Sequence, residues 1–227
     1  MGEQERNYHI FYQLVKGSNS TKNADLKLHA VENFNILMAG HCTVAGTVDN
    51  DAELFSNLCS ALVTLGLSPM EMEQLWSVLS CILHMGNISP VAAASEDENH
   101  SLHSPTMPLE EIAIRLGVIP ADFGNSILFH VVKIERRSSI SMKKLTVDEV
   151  QNNILGLMKW LYSGVFNWLV RVLNAAYKTT EADTLLINRF IGILDIFGNY
   201  SYYLIFIKFI ICYMKVKRGC SHFCSVT

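Results

Sequence analysis

SPMEMEQLWSVLSCILHMGNI, residues 68–88, decides how this 227-residue chain is read. Ser68 followed by Glu71 is a capping box, in which hydroxyl and carboxylate satisfy the backbone amides that open a helix. Pro69 takes the first helical position, where its missing N–H costs nothing. Met72, Leu75, Trp76, Leu79, Ile82 and Leu83 then step by three or four, which lines one helical face with apolar side chains. Gly86 is predicted to stop the helix in a left-handed turn. His84 on this face reads as a satisfied core histidine rather than a ligand, and Trp76, Trp160 and Trp168 as packing.

Outward from this helix, Asn50 and Glu53 predict a second capping box. Phe55, Leu58, Cys59, Leu62 and Val63 follow at helical spacing, and the two helices are expected to pack antiparallel across the short LGL turn. Residues 89–107 are small, polar and Pro-bearing, hence a surface loop. A short helix is expected from Pro108 to a stop at Gly117. Residues 127–145 hold β-leaning runs that suggest a hairpin. Its basic residues Lys133, Arg136, Arg137, Lys143 and Lys144 read as a solvated face. Thr146 and Glu149 open a helix of about thirty residues towards Lys178, with Ile154, Leu157, Leu161, Val165, Trp168 and Val172 in step; so long an element suits a large domain. LLINRFIGILD, residues 185–195, reads as a strand buried on both faces of a parallel or mixed sheet, ending at Asp195.

Half the residues are apolar and 17% are charged, which excludes a disordered or fibrous chain. A net charge of −3 gives no bias towards nucleic acid or acidic membranes. The N-terminus lacks a basic region followed by an apolar stretch, so the six cysteines are expected to be reduced thiols in the cytoplasm and the N-x-S/T sequons idle. Residues 199–227 differ in character. They hold four basic residues and no acidic one, which leaves −7 on the preceding part, and they are rich in Phe, Tyr, Ile and Lys. The apolar run from Tyr200 to Met214 is shorter than a spanning helix and carries Lys208. A membrane anchor is disfavoured on that count, and translated intron or a truncated gene model is the preferred reading of the tail. Cys212, Cys220, His222 and Cys224 match no usual zinc spacing.

Four stretches, in order, resemble the myosin motor domain. ERNYHIFYQL (residues 5–14) is similar to the family's segment after switch I, the second nucleotide-sensing loop. LWSVLSCILHMGNI (75–88) is similar to the family's helix ending H-L-G-N-I, with Met85 replacing Leu. LYSGVFNWLV (161–170) resembles L-Y-x-x-L-F-D-W-L-V, with Val165 and Asn167 as departures. LDIFG (194–198) matches the start of switch II, and TVAGTVDNDAELF (43–55) fits between the first two.

The resemblance implies a mainly α fold around a mixed β-sheet, an α/β, incomplete P-loop-type motor-domain fragment over residues 1–198, followed by an off-family apolar and basic tail, 199–227. It implies an actin-based, ATP-driven cytoskeletal motor in the complete parent, with Mg-ATP as cofactor and the actin filament as partner. Asp195 would organise the water shell of the metal and Gly198 would meet the terminal phosphate. Nucleic acid is not an expected partner, and the expected setting is cytoplasmic and cytoskeletal. The phosphate-cradling G-x-x-x-x-G-K followed by Ser or Thr occurs nowhere in the chain, and Asn199-Tyr200 stands where the family has Phe-Glu. No complete catalytic set is therefore expected, nor ATP hydrolysis by this chain alone. The alternative from a different class is a non-catalytic helical interaction protein, or a membrane-tethered one, that keeps a myosin-derived piece.

Overall fold

The computed structural model describes residues 5–44, 49–92, 95, 100–134 and 139–176. Asp195, Gly198, the expected strand 185–195 with its mixed sheet, and the tail 199–227 lie outside the described residues. Among the described residues, eight helices and two hairpins follow one another: α1 (His9–Gly17), α2 (Ser20–Asp25), a single 3₁₀ turn (Val31–Asn33), α3 (Asn35–Met38), α4 (Asp51–Thr64), α5 (Pro69–Met85), β1 (Ser89–Val91), β2 (Ser101–His103), α6 (Leu109–Arg115), α7 (Pro120–Leu128), β3 (Phe129–Ile134), β4 (Ser139–Lys144) and α8 (Val147–Ala176). The described chain is thus mostly helical, with two small antiparallel sheets.

α5 is the central element. Its capping box forms as expected: Ser68 Oγ accepts from the Glu71 amide at 3.3 Å, and the Glu71 carboxylate accepts from the Ser68 amide at 2.8 Å. Every residue from Leu79 to Met85 is buried, because α5 packs against α1, α6 and α8 at once. Each large apolar side chain so enclosed contributes about 1.5–3 kcal/mol.

Gly86 does not adopt the expected left-handed conformation. Its φ is −63°, ordinary right-handed backbone. A Cβ there would lie 2.5 Å from Ile36 Cγ2, so glycine is required by the close approach of α3. Left-handed glycines do end α4 and α6, at Gly66 (φ 90°) and Gly117 (φ 73°).

α4 also departs from expectation. Asn50 makes no side-chain cap; next to it, the Asp49 carboxylate accepts from the Asp51 amide at 3.3 Å. The helix lies along α1 rather than along α5, and Phe55 tilts against Trp76 with ring centroids 4.9 Å apart. Gly17 permits the α1–α4 contact, since a Cβ there would meet Phe55 Cβ at 2.4 Å. With α1 on that side, Val63 is left 61% exposed rather than joining the apolar stripe.

The expected surface loop 89–107 is anchored at both ends. Its ends pair as β1–β2, with Pro90 opposite Leu102, and Met107 returns to the core. The hairpin β3–β4 forms in the predicted region, with Phe129 opposite Lys144 and Ile134 opposite Ser139. Thr146 and Glu149 make the predicted capping box. α8 then runs for 30 residues, or about 45 Å. Its first half is anchored by buried Val150, Ile154 and Met158, and Asn153 Nδ2 donates to the Ser126 and Ile127 carbonyls that α7 leaves unpaired. Further on, Tyr162 stacks on Tyr8 at 4.1 Å. Trp168 is half-buried, whereas Trp160, expected as packing, is 70% exposed.

Candidate functional site

Two buried polar clusters and one exposed hairpin face carry the chemistry of the described residues. The first cluster joins α5 to the loops before and after it. His84 Nε2 lies 3.1 Å from the Leu26 carbonyl, which can only accept, so this nitrogen carries the proton. Nδ1 then accepts from the Thr106 hydroxyl at 2.8 Å. Burial pushes the imidazole down to about 4, so it is neutral at pH 7. With both ring nitrogens occupied and the ring fully enclosed, His84 is structural, as its place on the apolar face suggested.

Asn87 extends the same cluster. Its Oδ1 accepts from the Asn35 amide at 2.9 Å, and its Nδ2 donates to the Asn33 carbonyl at 2.6 Å. These bonds use the asparagine of the H-M-G-N-I stretch, which also sits in an N-x-S sequon. Asn19, another, caps α2 by accepting from the Lys22 amide.

The second cluster was not legible in the sequence. Arg6 Nη2 donates to Asp51 Oδ2 at 2.7 Å, with side-chain exposures of 5% and 3%. Lys16 Nζ reaches the same carboxylate oxygen at 3.0 Å and Asp49 Oδ2 at 2.6 Å. Burial alone would lower the Lys16 ammonium, but its bonds to Asp49 and Asp51 leave it raised. Asp49 is held below the usual carboxylate range by the hydrogen bond from Lys16. The Arg6 guanidinium sits 4.0 Å over the Tyr12 ring. Arg6 and Asp51 come from two of the stretches that resemble the motor family, and their pairing fixes α1 to the start of α4. The only sequence signal was an aspartate heading a helix, which ordinarily faces water.

Elsewhere, Lys27 and Arg115 both bind Glu111, and Arg115 also donates to the Asp25 carbonyl at 2.5 Å, tying α2 to α6. Cys42, Cys59 and Cys81 are free thiols, and burial pushes the Cys81 thiol up to about 12, which makes it inert. Among the described residues no cluster of His, Cys, Asp and Glu could hold a metal ion, and no helix is long and apolar enough to cross a membrane.

The β3–β4 hairpin differs from both clusters in facing solvent. Val131 and Met142 stand directly opposite each other, 50% and 52% exposed. Directly opposed side chains share a face and make one patch. Lys143, the next residue along β4, points to the opposite face; its side chain is 63% exposed and reaches Glu149 only at 3.4 Å. The hairpin expected to be a solvated basic face thus carries an exposed apolar pair on one side and the exposed Lys143 on the other.

The family model described as myosin head (motor domain) matches residues 1–217, extending past Gly198. Myosin-51 of Schizosaccharomyces pombe is 31% identical over 194 residues, covering 86% of this chain and 13% of that protein. Myosin-J heavy chain of Dictyostelium discoideum is 32% identical over 199 residues, covering 87% and 9%. Myosin IB heavy chain of the same organism is 32% identical over 207 residues, covering 86% and 17%. The chain belongs to the myosin motor-domain family. It spans less than a fifth of the length of these relatives.

Proposed function

We propose that this chain is a piece of an actin-based motor head, that its hairpin contacts the filament, and that it does not hydrolyse ATP alone. Family membership supports the motor. The observation that carries the filament contact is the exposed Val131–Met142 pair on one face of a two-stranded hairpin whose other face exposes Lys143. Exposed apolar side chains give a protein interface its affinity, and nearby charges give it orientation. A filament offering apolar and acidic groups fits such a hairpin.

The nucleotide half rests on sequence. In the complete parent, bound Mg-ATP would supply the phosphoryl group and the metal charge for in-line attack by water. Asp195 and Gly198 would form one wall of that site, and this chain has no P-loop lysine to build another. The proposed setting is the actin cytoskeleton of the cytoplasm.

Co-sedimentation with actin filaments at increasing salt tests the contact. The chain should pellet with filaments, and Val131→Ser with Met142→Ser should weaken pelleting at least several-fold while leaving the circular dichroism unchanged. Equal pelleting of both proteins, or none of either, would remove the hairpin from the filament surface. Calorimetry with Mg-ATP should register no specific binding; micromolar, Mg²⁺-dependent affinity that disappears in Asp195→Ala would overturn the inactive reading.

A further inference from the structure

We draw no further inference here: the strongest candidate, the exposed apolar side chains Leu155, Trp160, Phe166 and Val170 along α8, carries nothing because nothing among the described residues shows what covers them.

Discussion

α5 and α8 both step apolar side chains by three or four residues, but from Leu79 to Met85 α5 has no exposed residue, whereas α8 has no buried residue beyond Met158. Propensity and capping do not explain the contrast, since both helices open with a complete capping box. Neighbours explain it. α1, α6 and α8 enclose α5, whereas beyond Met158 the apolar side chains of α8 are at most partly buried against the core. Periodicity is a property of one segment, and burial is a property of what surrounds it. Substitutions should therefore be costly around α5 and nearly silent at the exposed positions of α8, such as Trp160.

The largest effect is expected where a buried charge would lose its partner at the edge of that enclosed region. Asp51→Ala removes the carboxylate shared by Arg6 and Lys16 and should cost about 3–5 kcal/mol in urea unfolding. A loss below about 1 kcal/mol would show that water, not Asp51, solvates Arg6 in the folded chain. Leu83→Ala, in the fully enclosed turn of α5, should cost about 2–5 kcal/mol by the same measurement. A near-neutral result there would end the distinction between the two helices.

Acid should act on α5 and leave the far half of α8 untouched. The folded chain holds His84 down to about 4 against an ordinary 6.5. Between those values the unfolded chain binds the extra proton, so stability rises with pH there. It is fully present above about pH 6.5 and falls as pH drops towards 4, by about 3 kcal/mol. Urea unfolding at pH 7 and pH 4.5 should show a steeper loss for the native chain than for His84→Gln. Parallel pH profiles would mean that other groups carry the acid sensitivity.

Gly86→Ala probes the same helix by close approach. Its new Cβ must displace Ile36, and overpacking of this kind costs about 1–3 kcal/mol. A stabilised variant would instead mean that α3 yields freely, with only helix propensity left to register. The smallest effect is expected on α8. Trp160→Ala should shift stability by no more than about 0.5 kcal/mol, because the side chain is 70% exposed. A loss above about 2 kcal/mol would show that Trp160 is covered in solution, and the contrast between the helices would shrink.

Local rules were legible where their partners lie a few residues apart. Ser68–Glu71 and Thr146–Glu149 cap helices because hydroxyl, carboxylate and amide sit within one turn. The hairpin, the 30-residue helix and the burial of Leu79 and Leu83 follow from equally short-range patterns. Asn50 makes no cap, and the Asp51 beside it is turned to Arg6, a residue 45 positions away that no local pattern reveals. The role of Gly86 was misread for the same reason: the constraint on it comes from Ile36, not from its own turn. Of the candidate site, Asp195 and Gly198 were read from a motif and lie outside the described residues, while the hairpin was read from its short β-leaning runs. The sequence could not show that Val131 and Met142 would meet on an exposed face, since cross-strand register depends on the pairing of two segments.

By itself, then, the sequence determined the family, the main helices and their apolar faces, because these rest on covalent neighbours and on the helical period. Only the tertiary structure decided which faces are enclosed, which carboxylate neutralises Arg6 and Lys16, and why residue 86 is glycine. Each of those depends on groups that folding alone brings within about 3 Å of one another, where desolvation and close packing make one atom's position decisive.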